Sequence, residues 1–236
     1  MYVSNLSNLE ILQDRICCDL REAQISSCSL DTMEINGFNW IESTVNNSNL
    51  NEVKFRKCVF DKMMFFRSNM ERAVLECCNV IKGTQFSGIT LIKSKWLRTR
   101  MHDSIVENST MMRAEIDGCF FENDNFVDYE AVYSTVRNTI FKNCNFRVTG
   151  DNGMNGFYQA KIDGCFFINC DFSGYPFREA NVRNCVFIDN TGHITDSMES
   201  YASIGLGQFT QDDFQGERKL SDIGAAQELI RRCREA

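Results

Sequence analysis

The chain has 236 residues, of which 43% are hydrophobic and 24% are charged, and its formal net charge is −7. The composition is that of an ordinary folded protein, and the acidic balance argues against non-specific binding to nucleic acid or to anionic membranes. No apolar run approaches the roughly 20 residues that cross a bilayer, and the N-terminus lacks the basic flank and apolar core of a secretion signal, so we expect a soluble cytoplasmic protein.

Residues 1–15 come before any regular pattern. Leu6, Leu9, Ile11 and Leu12 are spaced for a short strand or a helical turn. We expect this segment to be an N-terminal cap that covers the open end of the structure that follows.

A strict five-residue period begins at Leu20, with a large apolar residue closing almost every block of five. One extra residue within 81–85 shifts the frame once, and a polar, glycine-rich stretch at 147–156 breaks it again. A period of five fits neither the 3.6 of a helix nor the 2 of a flat strand, so it predicts a repeat architecture. Thirteen, thirteen and seven blocks, 33 in all, fall within Leu20–Val80, Phe86–Phe146 and Phe157–Phe187.

Cysteine and proline usage both suit such a repeat. Pro176 is the only proline, as expected where each backbone N–H must reach a neighbouring strand. Nine of the twelve cysteines stand two residues before an apolar closing residue, where we expect them to be buried, reduced and inert. With no Cys-x-x-Cys pair and only His102 and His193, we expect no metal site.

The repeat resembles the pentapeptide-repeat family over about residues 16–190. The resemblance is carried by blocks such as Cys144-Asn145-Phe146-Arg147 and Cys170-Asp171-Phe172-Ser173-Gly174, although this chain prefers Cys or Ser with Phe to the family's commoner Ala-Asp/Asn-Leu. The resemblance implies an all-β solenoid, a right-handed quadrilateral parallel β-helix with twenty residues per coil and about eight coils. Each closing residue and the residue two before it would point into the rod.

The second frame break is interpreted as an insertion. DGCFFENDNF at 117–126 and DGCFFINCDF at 163–172 are similar in sequence, so we assign them to the same two faces of the rod. The break is then an insertion of six residues within a continuous stack. We expect an exposed loop at about 147–156, a place where recognition is often found. The candidate partner-binding residues of this loop are Arg147, Asp151, Asn152, Met154 and Asn155.

One face of the predicted rod carries apolar residues at outward positions over its last coils. Such a ladder is unusual on the bare surface of a monomer, so we expect it to bind a partner or to dock the tail of the chain. Its residues are Phe120, Ile140, Phe166, Ile168, Val186 and Ile188.

Residues 191–236 predict a linker followed by a capping or dimerisation helix. Ser221 is a candidate N-cap, and Ile223, Leu229 and Ile230 fall on one face of the helix, together with Ala226 and Cys233. Two arrangements are open: the helix folds back on its own rod, or it joins two rods in a homodimer.

No motif of enzymatic chemistry is found. His102 is the only histidine within the repeat, and no phosphate loop, nucleophile elbow or metal cluster accompanies it. We therefore expect no catalytic residues, no cofactor and no metal.

Two functions follow for a non-catalytic binding protein. The resemblance implies a DNA mimic that interacts with DNA gyrase or another topoisomerase and protects it from inhibitors. The alternative is a protein-interaction scaffold, such as a regulatory adaptor or an exported bacterial effector, and it is favoured by mixed charge, since residues 20–190 carry 21 acids and 19 bases. Either way the expected partner is another protein, with no direct contact to nucleic acid or membrane.

Overall fold

The computed structural model describes residues 2–4, 19–149, 154–183 and 185–192, and these form a stack of short parallel strands. Twenty-seven strands lie in three sheets, and isolated parallel bridges form a fourth face. Each coil visits the second sheet, the first sheet, the fourth face and the third sheet in that order. The predicted all-β solenoid of about eight coils is confirmed.

The first sheet has ten strands, and the N-terminal β1 extends it by pairing with β3. Its strands are β1 Tyr2–Ser4, β3 Gln24–Ser26, β6 Thr44–Asn46, β9 Met64–Phe66, β12 Gln85–Ser87, β15 Ile105–Glu107, β18 Asn125–Val127, β21 Asn145–Arg147, β24 Asp171–Ser173 and β27 Thr191–Gly192.

The second sheet has nine strands. They are β2 Asp19–Arg21, β5 Asn39–Ile41, β8 Val59–Asp61, β11 Asn79–Ile81, β14 Arg100–His102, β17 Phe120–Glu122, β20 Ile140–Lys142, β23 Phe166–Ile168 and β26 Val186–Ile188.

The third sheet has eight strands, and the fourth face is built from single-residue bridges running from Ser29–Asn49 to Glu130–Gly156. The strands of the third sheet are β4 Glu34–Asn36, β7 Lys54–Arg56, β10 Val74–Glu76, β13 Lys95–Leu97, β16 Glu115–Asp117, β19 Thr135–Arg137, β22 Lys161–Asp163 and β25 Asn181–Arg183.

Both frame breaks leave the stack continuous. Asn79 pairs with Val59 on one side and with Arg100, 21 residues on, on the other, so the extra residue is absorbed at the corner around Gly83. Asn145 pairs with Asp171, 26 residues on, so the second break is a six-residue insertion.

The interior is a column of large apolar side chains, since every closing residue points inward. In the second sheet Phe121, Phe141, Phe167 and Phe187 stack ring on ring, with centroids 4.9, 5.0 and 4.7 Å apart. Burying such rings, at about 1.5–3 kcal/mol each, gives the fold its main driving force.

The inward-pointing residue two positions before each closing residue connects one coil to the next by hydrogen bonds. Ser43 Oγ accepts a hydrogen bond from the N–H of Ala23 and donates to the carbonyl of Leu20 or Ile41. Cysteines use the same geometry more weakly: the thiol of Cys119 donates to the carbonyl of Trp96 at 3.1 Å. The nine described cysteines are all thiols, and burial raises the pKa of Cys144 and Cys165 well above the ordinary value.

The corners of the rod require a left-handed backbone. Glu42, for example, has φ +51° and uses its N–H to reach the carbonyl of Asp61 on the next coil, at 2.8 Å. A left-handed residue costs about 1–2 kcal/mol, and this coil-to-coil hydrogen bond offsets part of that cost. The same geometry recurs in nearly every block, which explains why the chain turns by the same amount every five residues.

Two predicted segments lie largely or wholly outside the described residues. The cap at 1–15 is described only at Tyr2–Ser4, and the helix carrying Ile223, Leu229 and Ile230 falls beyond Gly192. No helix long and apolar enough to cross a membrane occurs in the part of the chain that is described.

Candidate functional site

The inserted loop is held firmly at both roots. The N–H and Oγ1 of Thr149 both donate to Asp128 Oδ1 at 2.7 Å, and the N–H of Gly156 donates to the carbonyl of Tyr129. Gly156 has φ +64°, and a Cβ there would lie 2.4 Å from the carbonyl oxygen of Pro176, so only glycine fits.

The five predicted loop residues differ in where the structure places them. Arg147 is not in the loop: it ends β21 and pairs with Ser173, because the strand register continues through it. Met154 is 60% exposed and Asn155 is half-buried, whereas Asp151 and Asn152 lie outside the described residues. A partner-binding role for these residues stays a prediction.

A tyrosine patch, made of Tyr133, Met154, Tyr158 and Tyr175, surrounds the C-terminal root of the loop on the fourth face. Of the four exposed large hydrophobic side chains among the described residues, three belong to it: Tyr133 at 48%, Met154 at 60% and Tyr175 at 42%. The N–H of Tyr133 donates to the carbonyl of Tyr158, which places the two residues on adjacent coils.

Backbone geometry turns Tyr175 outward. The five-residue frame places Tyr175 where Ser48 and Ser68 point into the rod, yet Gly174 and Tyr175 both have positive φ and the side chain emerges on the surface. Sequence reasoning missed the three tyrosines of this patch. The available signal was Tyr133, which stands at a corner position that earlier coils fill with Glu52, Arg72, Lys93 and Arg113.

Tyr158 is held in place by its neighbours. Its hydroxyl bonds to the carboxylate of Glu179, and this raises the pKa of Tyr158 above its ordinary value. Gln159 Nε2 donates to both groups, at 3.2 Å to the Tyr158 hydroxyl and 2.7 Å to Glu179, and lowers the pKa of Glu179. The phenol therefore remains a neutral hydrogen-bonding group at physiological pH.

The apolar ladder is outward by position but is not bare surface. Phe120 is 5% exposed, and Ile140 and Phe166 are fully buried, which corrects the expectation of exposed side chains. Ile168 is half-buried. Val186 and Ile188 continue the ladder in register on β26, but the structure does not describe their side chains.

The third sheet carries charges that differ between its two ends. In the N-terminal coils bases and acids pair, as in Lys54–Glu34 at 2.6 Å and Arg98–Glu76 at 2.6 Å. In the C-terminal coils the third sheet carries a shallow groove of about 290 Å³ that is mainly basic. It is lined by Arg137, Lys161, Ile162, Asp163, Asn181 and Arg183.

His102 is placed as a surface residue. Its Nε2 lies 3.0 Å from Asp103 Oδ2, and the hydroxyl of Ser104 is buried and donates to the carbonyl of His102, not to its ring. Among the described residues no group of three or more His, Cys, Asp or Glu converges to hold a metal ion.

Solved structures provide the comparisons for this chain. HetL, a pentapeptide repeat protein involved in heterocyst differentiation regulation from the cyanobacterium Nostoc sp. strain PCC 7120, is 12% identical over 72% of this chain and 85% of its own, with a TM-score of 0.49. A trypsin-treated variant of QnrB1, a plasmid-mediated fluoroquinolone resistance protein, is 12% identical over 98% of this chain and 96% of its own, with a TM-score of 0.41.

No family model and no curated protein matches the sequence. The assignment therefore rests on the chain itself. The five-residue frame, the twenty-residue coil and the parallel pairing around four faces give this chain the solenoid fold that its resemblance to the pentapeptide-repeat family implies.

Proposed function

We propose that the protein is a non-catalytic binding scaffold that contacts a partner protein through the tyrosine patch. The observation that carries the proposal is the concentration of exposed Tyr133, Met154 and Tyr175 around one loop root. Tyrosine and methionine are enriched in protein interfaces, and tyrosine is a frequent hot-spot residue.

The rod suits this role because it presents the patch on a rigid support. Residues of the patch stand on coils tied by backbone hydrogen bonds, such as Phe157 N–H to Pro176 carbonyl at 2.6 Å. A partner therefore meets a surface that is already ordered, and less entropy is lost on binding.

DNA gyrase or another topoisomerase is the first partner to test, because the pentapeptide-repeat resemblance implies it. Charge mimicry of duplex DNA is not required for that contact. Many surface acids face bases on the next coil, as in Lys62–Glu42 at 2.6 Å and Arg72–Glu52 at 3.0 Å, so we assign the contact to shape and aromatic surface.

The second candidate is a regulatory adaptor or an exported effector with a different protein partner. It is favoured by these same coil-to-coil ion pairs, since a nearly neutral rod lacks the continuous negative surface of a DNA mimic.

The test is binding of the full chain to purified DNA gyrase by calorimetry, with supercoiling assays run with and without a quinolone. We expect Tyr133→Ala with Met154→Ala to raise Kd by roughly tenfold or more, as for interface hot spots. Met64→Ala is the matched control, because Met64 is 42% exposed but stands on the first sheet.

Two results would change the proposal. Unchanged affinity of the double variant would show that the patch is not the contact surface. No binding of the wild-type chain to gyrase would leave the adaptor function, to be tested by proximity labelling in the source cell with the same variants.

A further inference from the structure

On the C-terminal coils, the outer face of the second sheet is buried although its side chains point away from the interior. Phe120, Ile140 and Phe166 are direct partners on β17, β20 and β23 and are 5%, 0% and 0% exposed. The rings that fill the interior belong to the residues that follow each of them, so the interior does not account for this burial.

A matched position higher on the same face shows what these strands bury by themselves. Val59 occupies the same outward position on β8, between Asn39 and Asn79. It remains half-exposed, as do Ile105 on the first sheet and Val74 on the third. An outward apolar side chain between polar neighbours therefore stays half-exposed, and the nearly complete burial of three adjacent ones on the C-terminal coils indicates a covering group in addition to their own mutual contact.

At the N-terminal edge of this buried face, the guanidinium group of Arg100 requires a hydrogen-bond acceptor. Arg100 is the direct partner of Phe120 on β14, and its Nη2 is buried without a hydrogen-bond partner among the described residues. A group that covers the face and brings carbonyl or carboxylate oxygens to its edge would satisfy that donor, since a buried unpaired guanidinium nitrogen is costly.

The chain supplies a segment of suitable length and chemistry. The last described strand, β27, ends at Gly192, and 236 − 192 = 44 residues follow it. Within them the sequence of 222–234 predicts an amphipathic helix. Thirteen helical residues span about 20 Å, enough to cover the ~14 Å between Phe120 and Val186 at three strand spacings.

We infer that residues 222–234 dock on the outer face of the second sheet of the same chain, with Ile223, Ala226, Leu229 and Ile230 against Phe120, Ile140 and Phe166. The same chain is assigned because the three side chains are buried in a structure of a single chain. The helix end would bring carbonyl oxygens that lack partners within the helix. The second sheet lies across the rod from the fourth face, so the tyrosine patch stays open.

Side-chain oxidation by hydroxyl radicals, read by mass spectrometry on the full chain, tests this docking. In the wild-type protein we expect Phe120 and Phe166 to be as protected as the interior Phe121 and Phe167, with Tyr133 as the reactive internal standard. Leu229→Asp should raise oxidation of Phe120 and Phe166 severalfold and leave Phe121 and Phe167 protected. Arg231→Gln, which changes the net charge by the same amount on the polar side of the predicted helix, should leave all four protected.

The outcomes separate the possible occupants. Oxidation of Phe120 and Phe166 in the wild type at the rate of Tyr133 would overturn the inference, as would continued protection in Leu229→Asp. Light scattering decides between one chain and two: a wild-type dimer that Leu229→Asp converts to a monomer would assign the face to the tail of a second copy. Loss of docking with intact gyrase binding would leave the proposed function untouched.

Discussion

Asp124 is a carboxyl group placed inside an apolar interior. It occupies the small inward position on the first sheet, between Ser104 and Cys144, and is fully buried. Its Oδ1 accepts the N–H of Ser104 at 2.8 Å, and its Oδ2 accepts the N–H of Glu122 at 3.1 Å. Burial nevertheless dominates and raises the pKa of Asp124 well above its ordinary value of 3.8.

This raised pKa predicts a pH dependence of stability. The folded protein holds the proton more tightly than the unfolded chain, so this group's contribution is most favourable below about pH 3.8 and is lost as pH rises through the raised pKa. Asp124→Asn should remove that loss and raise stability at pH 7 by on the order of 1 kcal/mol or more. Thermal melts of both proteins between pH 4 and 8 measure it.

Asn190 shows how the amide would be accommodated. At the equivalent position three coils below, its Oδ1 accepts the N–H of Cys170 and its Nδ2 donates to the carbonyl of Phe167. An asparagine at 124 has the carbonyl of Met101 in the corresponding place. Parallel pH profiles for the two proteins would show that Asp124 does not titrate in this window.

The inserted loop is the element most easily separated from the rod. Thr149 and Gly156 occupy positions that are consecutive in a regular coil, so deleting residues 150–155 restores a twenty-residue spacing. We expect the deletion to keep the far-UV circular dichroism and to change stability by less than about 1 kcal/mol, because loop length enters only through a logarithm. Unfolding of the deletion variant would show that the loop is structural.

The elements of the rod were largely predictable, and the surface that carries the candidate site was not. A large apolar residue every five positions dictates which side chains fill the interior, so the faces and both insertions follow from spacing. The outward exit of Tyr175 depends on its left-handed φ, and the burial of Phe120 depends on what covers it. Spacing carries neither kind of information.

At the scale of the whole molecule, charge is organised along the rod axis. Lys54–Glu34, Lys62–Glu42 and Arg72–Glu52 each join residues twenty apart in the sequence, one coil to the next. Their side chains are substantially exposed, so each pair adds little to stability. Their main effect is to cancel charge locally on the N-terminal coils, which leaves the tyrosine patch and the basic groove of the third sheet to distinguish one face from another.

The constant register also has a consequence for unfolding. Nearly every strand pairing joins residues 20 or 21 apart, which is about 0.09 of the chain length, a short separation for a β protein. This β protein should therefore unfold coil by coil. Trp40 and Trp96 are both buried, on β5 and β13, so fluorescence of chains retaining only one of them reports on different coils. Separate denaturant midpoints are expected for the two, whereas coincident midpoints would mean that the rod melts as a single unit.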